Sequence, residues 1–458
     1  MSELNSGPIR LKNAAAPASS SSSSSKIFFV KHLLGTIGAM NPAAARRPGG
    51  SSAVLRLTRV LFLAVAFVAT FMLGSISRDY TQSELGHDQR SACREPRELQ
   101  DAGRSALRPT AARSPKATTT AMPLGDAYPH DDTYTRSGCK NNVRALALRA
   151  DAWLRAAFIP DTRVLAWSEH ATAQEYERLK RFQLIYGWGG KNFSLVATAL
   201  RLLNTSANRH MFDDWSERWR RQRRRAPACV ACAVVGNGGI LNGSRLGREI
   251  DKHHYVFRVN AAMTRGYEDD VGSRTSFYFF STNTMRNSLG RYRKLGYTSP
   301  PNTPETRYVF IPDSVRDYQM VQAAITNTPV AYGRDRSKLP PTFFGSKPGP
   351  EKFKMLHPDF SRYLRNRFMM SSRLKGRLRV IYRPSTGAMM LLTALHTCDV
   401  VDAYGFLTED YTRYSCYYYD KVKHAVPFVA NHDMKLELAL WARLHKSKMI
   451  RLYMGKGD

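Results

Sequence analysis

Short apolar runs alternate with amphipathic stretches along the chain from about residue 139 to the C-terminus. A run of roughly four to eight apolar residues between turn-forming residues predicts a buried strand, whereas apolar residues that recur every three or four positions predict a helix. The predicted strands cover residues 231–235, 255–259, 276–280, 308–311, 379–382 and 400–406. The predicted helices cover residues 171–182, 358–369, 387–397 and 433–445.

The order of these strands and helices predicts the fold class. Buried strands interspersed with helices are typical of an α/β domain, in which helices cover both faces of a mostly parallel, Rossmann-type sheet. We therefore expect a single α/β domain over residues 139–458. Ligands of such sheets bind beyond the carboxyl ends of the strands, so the functional residues should lie in the loops that follow the strands.

A separate apolar run precedes this domain. Residues 60–76 (VLFLAVAFVATFMLGSI) carry no charge, and their number lies near the short end of the roughly 17–25 residues that cross a bilayer as a helix. Basic residues lie before the run, at Arg46, Arg47, Arg56 and Arg59, which predicts a cytoplasmic N-terminus and a luminal domain. We interpret residues 1–59 as a disordered cytoplasmic tail, 60–76 as a type II signal anchor and 77–138 as a mostly disordered stem. A cleaved signal peptide is the alternative interpretation of the apolar run.

The chain is strongly basic, with 69 Lys and Arg residues against 37 Asp and Glu and a formal net charge of +32. Such a surplus suits a nucleic-acid binder, a protein on an anionic membrane or an enzyme with acidic substrates. Because a luminal domain does not meet nucleic acid, we expect no nucleic-acid partner. The densest basic stretch holds Arg218, Arg220, Arg221 and residues 223–225. It could steer an anionic substrate, and a solvated loop is the alternative.

A luminal position also changes the meaning of the cysteines and of the Asn-x-Ser/Thr sequons. The chain has six cysteines, and disulfides form in oxidising compartments. Three sequons, at Asn192, Asn204 and Asn242, become candidate N-glycosylation sites.

The first segment with candidate chemistry begins at residue 232 and reads CAVVGNGGILNGSRLGREID. A buried strand leads into a turn whose glycines, from Gly236 to Gly239, would let backbone amides approach a phosphate or a ribose. It is not the GxGxxG fingerprint of dinucleotide-binding proteins, because the third glycine is misplaced. The next strand ends at Asn260, so two strand-end asparagines, Asn237 and Asn260, could present amide groups to a ligand. Tight structural turns are the alternative interpretation.

The second segment runs from Arg383 to Phe406 and reads RPSTGAMMLLTALHTCDVVDAYGF. Pro384 stops the preceding element, and Ser385 and Thr386 are good N-cap residues for the apolar helix that follows. Hydroxyl groups and unbonded amides at a helix N-terminus form an anion site. An ordinary helix cap is the alternative.

The third segment reads NHDMKLELALW from residue 431. His432 lies at or just before a predicted helix start, and Glu437 follows five positions later. An imidazole that titrates near neutrality is suited to removing a proton from a sugar hydroxyl. A structural histidine is the alternative, as it is for His253, His254 and His396.

In this order, the three segments resemble the large, small and very small sialyl motifs of the eukaryotic sialyltransferases, glycosyltransferase family 29. The large motif corresponds to residues 232–281, the small motif to 383–406 and the very small motif to His432 and Glu437. The stretches GNGGILNGS, NTMRNSLGRY and PSTGAMMLLTALHTCD are most similar to the GalNAc α2,6-sialyltransferases, members I and II.

The resemblance implies a GT-A-like fold, a Golgi location and a substrate pair. The donor would be CMP-sialic acid and the acceptor the C6 hydroxyl of GalNAc that is O-linked to a glycoprotein. The residues implied to bind the donor are Asn237, Asn260, Ser385, Thr386, Gly387 and Gly405. His432 would be the general base, with Glu437 as a supporting motif residue. Disulfides are implied between Cys232 and Cys398 and between Cys139 and Cys229.

No metal and no cofactor are expected. CMP leaves with a single phosphate, so no pyrophosphate charge needs to be offset, and the chain has no Asp-x-Asp motif.

One position departs from the family pattern. A histidine usually stands near the donor phosphate in the third motif, whereas this chain reads Ser-Cys-Tyr-Tyr-Tyr-Asp from residue 415, with Tyr417 in the histidine position. A phenol can donate one hydrogen bond to phosphate but lacks the positive charge of an imidazolium. We therefore take Tyr417 as a second catalytic candidate and expect lower turnover than is usual in the family.

Three alternative functions are compatible with the sequence. A sialyltransferase with another linkage would share every motif, and acceptor profiling would separate it. A catalytically silent CMP-sugar-binding homologue would bind the donor without turnover. A basic membrane protein that binds polyanions would show salt-sensitive binding and no affinity for CMP.

Overall fold

An eight-stranded sheet organises residues 124–455, the part of the chain that the computed structural model describes. Its strands are β1 (Leu165–Ala166), β2 (Ala231–Val235), β3 (Tyr255–Val259), β4 (Phe277–Phe280), β5 (Arg307–Phe310), β6 (Phe353–Leu356), β7 (Val400–Tyr404) and β8 (Arg451–Leu452). The order across the sheet is β1-β6-β5-β4-β3-β2-β7-β8. β1 is antiparallel to β6, and the other neighbouring pairs are parallel.

The central strands are mostly apolar, although β3 includes Arg258, because both faces of the sheet are covered. Every residue of β3 and β4 is buried. At the carboxyl end of β2, Val235 is in register with Arg258 of β3 and Tyr404 of β7. The loops that follow β2, β3 and β7 therefore meet at one edge of the sheet.

The helices of the described residues are α1 (Val143–Arg149), α2 (Ala152–Ala157), α3 (Ala173–Leu179), α4 (Phe193–Arg201), α5 (Ser206–Arg209), α6 (Trp215–Arg221), α7 (Gly247–Lys252), α8 (Glu268–Val271), α9 (Thr282–Arg291), α10 (Val315–Ile325), α11 (Pro341–Phe344), α12 (Pro358–Arg367), α13 (Thr386–Thr397) and α14 (Met434–Lys446). α13 is the central one, since every residue from Ala388 to Thr397 is buried. It packs on β2, β3, β4 and β7.

The two disulfides implied by the resemblance are present. Cys232 in β2 is bonded to Cys398 at the end of α13, so the strand and the helix that flank the site loops are covalently joined. Cys139 is bonded to Cys229, which lies just before β2.

The α/β class and the mostly parallel sheet are confirmed, and the predicted strands and helices that form lie within about two or three residues of their predicted ends, as is usual for such boundaries. One predicted strand, 379–382, is wrong: Arg377–Val380 is a 3₁₀ helix. Arginines alternate there with Leu378 and Val380 as in a half-buried strand, but Val380 is 63% exposed, and no strand of the described residues pairs with this segment. The short strands β1, β6 and β8 and the helices α1, α2 and α4 to α11 are absent from the sequence-based prediction.

The predicted tail (1–59), the anchor (60–76) and residues 77–123 of the predicted stem lie outside the described residues. Among residues 124–455, no helix has the length and apolar character needed to cross a membrane. Residues at the end of the predicted stem contact α12, since the Arg362 guanidinium donates to the carbonyls of Leu124 and Ala127. The domain boundary at residue 139 stays a prediction.

Candidate active site

A cavity of about 290 Å³ opens at the carboxyl ends of β2, β3 and β7, between the N-termini of α13 and α14. The structure brings the candidate catalytic and donor-binding residues together in its wall. They are Asn237, Asn260, Ser385, Thr386, Gly387, Gly405, Tyr417, His432 and Glu437. Segments that lie up to about 200 positions apart in the sequence thus form one site.

The floor of the cavity is made by two backbone turns in direct contact. The amide of Gly238 donates to the carbonyl of Gly405 at 3.0 Å. A Cβ at Gly236 or Gly238 would lie 2.5 or 2.6 Å from that same oxygen, and Gly405 has a φ of +70°. Side chains would push the turns apart, so glycine is required here for a close approach of backbone to backbone.

Asn237 and Asn260 are linked by a hydrogen bond, and the side-chain oxygen of each remains available as an acceptor. The Asn237 Nδ2 donates to the carbonyl of Asn260 at 2.8 Å. The Oδ1 atoms of both side chains are buried and accept no hydrogen bond from any described residue. Buried acceptors of this kind are costly unless a ligand or water supplies the donor. They suit the hydroxyl and amino groups of a nucleoside or a sugar.

The N-terminus of α13 is fixed by a carboxylate from α14. Ser385 is the N-cap, and its Oγ accepts from the amide of Ala388 at 3.0 Å. The Ser385 amide and hydroxyl both donate to Glu437, at 2.8 and 2.7 Å. The Ser385 cap is thus held in place while the amides of the first turn point along the helix axis, where an anion is stabilised by the helix dipole.

Glu437 itself has no cationic partner among the described residues. Its side chain is buried, with 2% of the residue exposed. Burial raises the pKa of this carboxyl to about 7, although the two bonds from Ser385 act in the opposite direction; the charge of Asp433 adds to the rise. The carboxyl therefore titrates near neutral pH.

His432 is held in a defined tautomer. Its Nδ1 lies 2.8 Å from the carbonyl of Arg383, which can only accept, so Nδ1 carries the proton. The Nε2 is then the acceptor atom of the ring, and the side-chain Nδ2 of Asn431 donates to it over a long 3.4 Å. Burial, together with the charges of Arg383 and Arg373, lowers the pKa of the imidazole to about 4. At neutral pH the ring is an uncharged base whose Nε2 can accept a proton.

Tyr417 is fixed in the cavity wall by its aromatic neighbours. Its ring stacks on Tyr419 with 5.0 Å between centroids and meets Tyr292 edge-on at 5.8 Å. Its amide donates to the Asp420 carboxylate at 2.8 Å.

One part of the wall escaped the sequence-based prediction. α9 contributes Thr284, Asn287, Ser288 and Arg291, together with the adjacent Tyr292. The four helical residues follow the spacing i, i+3, i+4 and i+7 directly after a strand, so they form a polar stripe on one face. That stripe is the signal that could have identified them, and Arg291 adds a positive charge to the wall.

The remaining candidates lie elsewhere. The three sequon asparagines, Asn192, Asn204 and Asn242, are exposed, and their glycosylation stays a prediction. The basic stretch is anchored at the amino edge of the sheet, where Arg218 donates to the carbonyl before β3. It therefore lies at the opposite edge from the cavity.

Comparisons with known proteins converge on one family. The family model described as glycosyltransferase family 29 (sialyltransferase) matches residues 165–449. The α-N-acetylgalactosaminide α-2,6-sialyltransferase 2 of Mus musculus is 45% identical over 328 residues, which cover 72% of this chain and 86% of that protein. The protein of the same name from Homo sapiens is 46% identical over 308 residues, 67% of this chain and 80% of that protein. A solved mammalian sialyltransferase in complex with Gal-β-1-3GalNAc-ortho-nitrophenol is 24% identical, with a TM-score of 0.49, and the match covers 70% of this chain and 100% of that one.

Proposed function

Because the chain belongs to glycosyltransferase family 29, the sialyltransferases, we propose that it transfers sialic acid from CMP-sialic acid to the C6 hydroxyl of O-linked GalNAc on glycoproteins. The α2,6 linkage and the GalNAc acceptor are supported by the names of the mouse and human relatives, which this chain matches over most of their length. The observation that carries the proposal is the meeting of the α13 N-terminus and the His432 imidazole at one cavity.

The proposed reaction is a single in-line displacement with inversion. The acceptor O6 attacks the anomeric carbon of sialic acid, and its proton passes to the Nε2 of His432. The bond between that carbon and the phosphate oxygen breaks, and CMP leaves with the electron pair. The transition state is oxocarbenium-like, as in other glycosyl transfers.

The leaving phosphate is placed at the N-terminus of α13. Amides of Thr386 and Gly387 and the helix dipole stabilise the negative charge that develops there. Glu437 acts as a positioning residue, since it fixes the Ser385 cap that begins this turn. Tyr417 donates a hydrogen bond to the phosphate, and the Oδ1 acceptors of Asn237 and Asn260 take N–H and O–H donors of the cytidine.

Transfer is proposed to need no metal. Among the described residues that line the cavity, Glu437 is the acidic one, and both of its oxygens accept from Ser385. This is a poor ligand set for a divalent cation, which prefers several carboxylate oxygens.

The proposed location is the Golgi membrane, with residues 60–76 as a single type II anchor and the catalytic domain in the lumen. The proposal rests on the charge asymmetry around the apolar run and on the two disulfides, which persist in oxidising compartments.

A transfer assay tests the function. The chain is incubated with CMP-sialic acid and either a GalNAc-O-threonine peptide or a lactose-type glycan, with and without EDTA. Transfer to the peptide that survives EDTA is expected. Preference for the lactose-type glycan would indicate another linkage, and donor binding without turnover would indicate a silent homologue in which Tyr417 does not replace the missing histidine.

A further inference from the structure

An arginine-rich segment that covers the end of α6 and the loop before β2 has no part in the proposed reaction. Its exposed arginines are Arg220, Arg221, Arg223, Arg224 and Arg225. Glu217 pairs with the first two, so most of the positive charge is open to solvent. The segment lies at the amino edge of the sheet, away from the cavity.

The segment contains the pattern Arg-x-Arg-Arg twice, at residues 218–221 and 221–224. Serine endoproteases of the secretory pathway recognise this pattern through acidic pockets and cut after its last arginine. A protease must bind its substrate in an extended form, so local structure decides which copy can be cut.

The first copy is shielded by the fold. It lies within α6, and the Arg218 guanidinium donates to the carbonyl of His254 at 2.7 Å. The same guanidinium lies 4.4 Å from the centre of the Tyr255 ring. Cutting after Arg221 would require this helix to unwind and Arg218 to leave its contacts.

The second copy lies where the helix ends. Arg223 has a φ of +50°, and the amides of Arg223 and Arg224 make the last bonds back to α6. From Arg225 to Cys229, no backbone amide donates a hydrogen bond to any described residue. Little structure has to be lost before this copy can enter a protease cleft, since local opening at an exposed chain segment is inexpensive.

We propose that a paired-arginine endoprotease hydrolyses the peptide bond between Arg224 and Arg225. Water adds across the amide, which leaves a carboxylate on Arg224 and an ammonium on Arg225. The disulfide between Cys139 and Cys229 spans this bond, with one cysteine on each side. The product is a two-chain protein in which the disulfide joins the pieces.

The cut leaves the cavity on one piece. Every residue of its wall lies between Gly236 and Trp441. The other piece carries β1, which stays hydrogen-bonded to β6, and α4, which packs on α10. Cleavage therefore creates a two-chain form with an unchanged cavity, and release of the C-terminal piece from the proposed membrane anchor additionally requires reduction.

Incubation of the full chain with a purified endoprotease specific for Arg-x-Arg-Arg tests the proposal. On a reducing gel we expect two pieces of nearly equal length, with a new N-terminus at Arg225. On a non-reducing gel a single species of unchanged mass is expected. Neither gel depends on transfer activity, so the absence of cleavage would contradict this proposal without bearing on the proposed function.

Two exposed arginines provide matched variants. Arg224→Ala removes the residue before the cut and is expected to slow cleavage at least tenfold. Arg220→Ala removes an equal charge but keeps residues 221–224, so its cleavage rate should stay within about twofold of the wild type. Three results would overturn the proposal: a new N-terminus at Gln222, equal slowing in both variants, or separation of the pieces without reductant.

Discussion

Two histidines of this protein look alike in sequence and differ in their surroundings. His357 precedes Pro358 and Asp359 at the start of α12, and His432 precedes Asp433 at the start of α14. His357 is completely buried, and its Nδ1 accepts from the amide of Asp359 at 3.1 Å. His432 instead donates from Nδ1 to the carbonyl of Arg383, which leaves Nε2 as an acceptor, and the residue lines the cavity.

The carboxylates beside the two histidines differ even more. Near His357, Asp359 and Glu175 share the guanidinium of Arg178, and Arg362 also donates to Asp359. Burial acts to raise the pKa of both carboxyls, but hydrogen bonds and charges from their basic neighbours, including His357, bring each pKa below its ordinary range. Donor atoms of Glu175, His357 and Asp359 lie within 4.8 Å of one another, as in a metal site. Arginine nitrogens already occupy the carboxylate oxygens.

Glu437 is buried without such a cation, and the pKa of its carboxyl rises instead. The comparison shows how the same residue types serve two purposes. A buried carboxylate that is paired with arginine stabilises the fold. A buried carboxylate without a cation has a raised pKa, and groups with shifted pKa values are common at functional sites.

Removal of the His432 imidazole should have the largest effect. His432→Ala leaves no acceptor for the O6 proton, and loss of a general base costs roughly 10²–10⁴-fold in turnover. CMP binding should stay near the wild-type value, because His432 does not form the α13 N-terminus. Initial rates and CMP titration measure the two quantities. His357→Asn is the matched control, since it keeps an acceptor at the helix start and should spare kcat; equal loss of kcat in both variants would contradict the comparison.

Breaking the paired carboxylate should affect stability. Asp359→Ala leaves Arg178 and Arg362 without this acceptor, and the loss of one partner from a buried ion pair costs about 3–5 kcal/mol. Chemical denaturation should show this decrease in the free energy of unfolding, while the folded fraction keeps its KM for CMP-sialic acid. A variant as stable as the wild type would show that the network does not stabilise the fold.

The pH dependence of the free energy of unfolding should distinguish the contribution of Glu437 from that of His432. Between the ordinary carboxyl pKa of 4.5 and the value of about 7 for Glu437, the folded state binds more protons, so this group's contribution to stability falls as the pH rises. For His432, between about 4 and 6.5, the unfolded state binds more protons, and the contribution rises with pH. The two slopes oppose each other in the wild type.

Glu437→Gln keeps the shape of the side chain but removes its titration, so the part of the stability that falls with rising pH is lost. Relative to the wild type, this variant should gain stability between pH 4.5 and 7.5, by an amount on the order of 3 kcal/mol. Denaturation curves at several pH values measure the difference. A difference that does not change with pH would mean that Glu437 is ionised throughout the range.

Local patterns account for much of this fold. β2 and β3 were predicted with their observed ends because β2 is a continuous apolar run and the apolar residues of β3 are interrupted only by Arg258. The start of α13 was predicted within one residue because Pro384 and Ser385 mark it. The bonds between Ser385 and Glu437 span 52 positions, and no local pattern encodes such a contact. The wrong strand at 379–382 has the alternation of a strand but no neighbour to pair with.

The meeting of the sequence motifs in one site could be predicted only for those motifs that follow neighbouring parallel strands. Carboxyl ends of parallel strands share an edge, which brings Asn237, Asn260 and Gly405 together. The contribution of α9 follows from packing of a helix that the sequence-based prediction lacks, and the charge environments of His357 and His432 depend on distant arginines. These features required the three-dimensional structure.

The smallest effect, and the only expected gain in turnover, concerns Tyr417. An imidazolium at this position would place a positive charge near the leaving phosphate, and charge-assisted hydrogen bonds are roughly twice as strong as neutral ones. A gain of about 1 kcal/mol corresponds to roughly fivefold in rate, so Tyr417→His should raise kcat by about that factor at pH 6 and by less at pH 8, where the ring is neutral. Tyr417→Phe keeps the contacts with Tyr419 and Tyr292 but removes the hydroxyl, and it should lower kcat several-fold. If both variants turn over at the wild-type rate, the phenol does not contact the phosphate, and the negative charge in this cavity is stabilised by the α13 N-terminus and Arg291 instead.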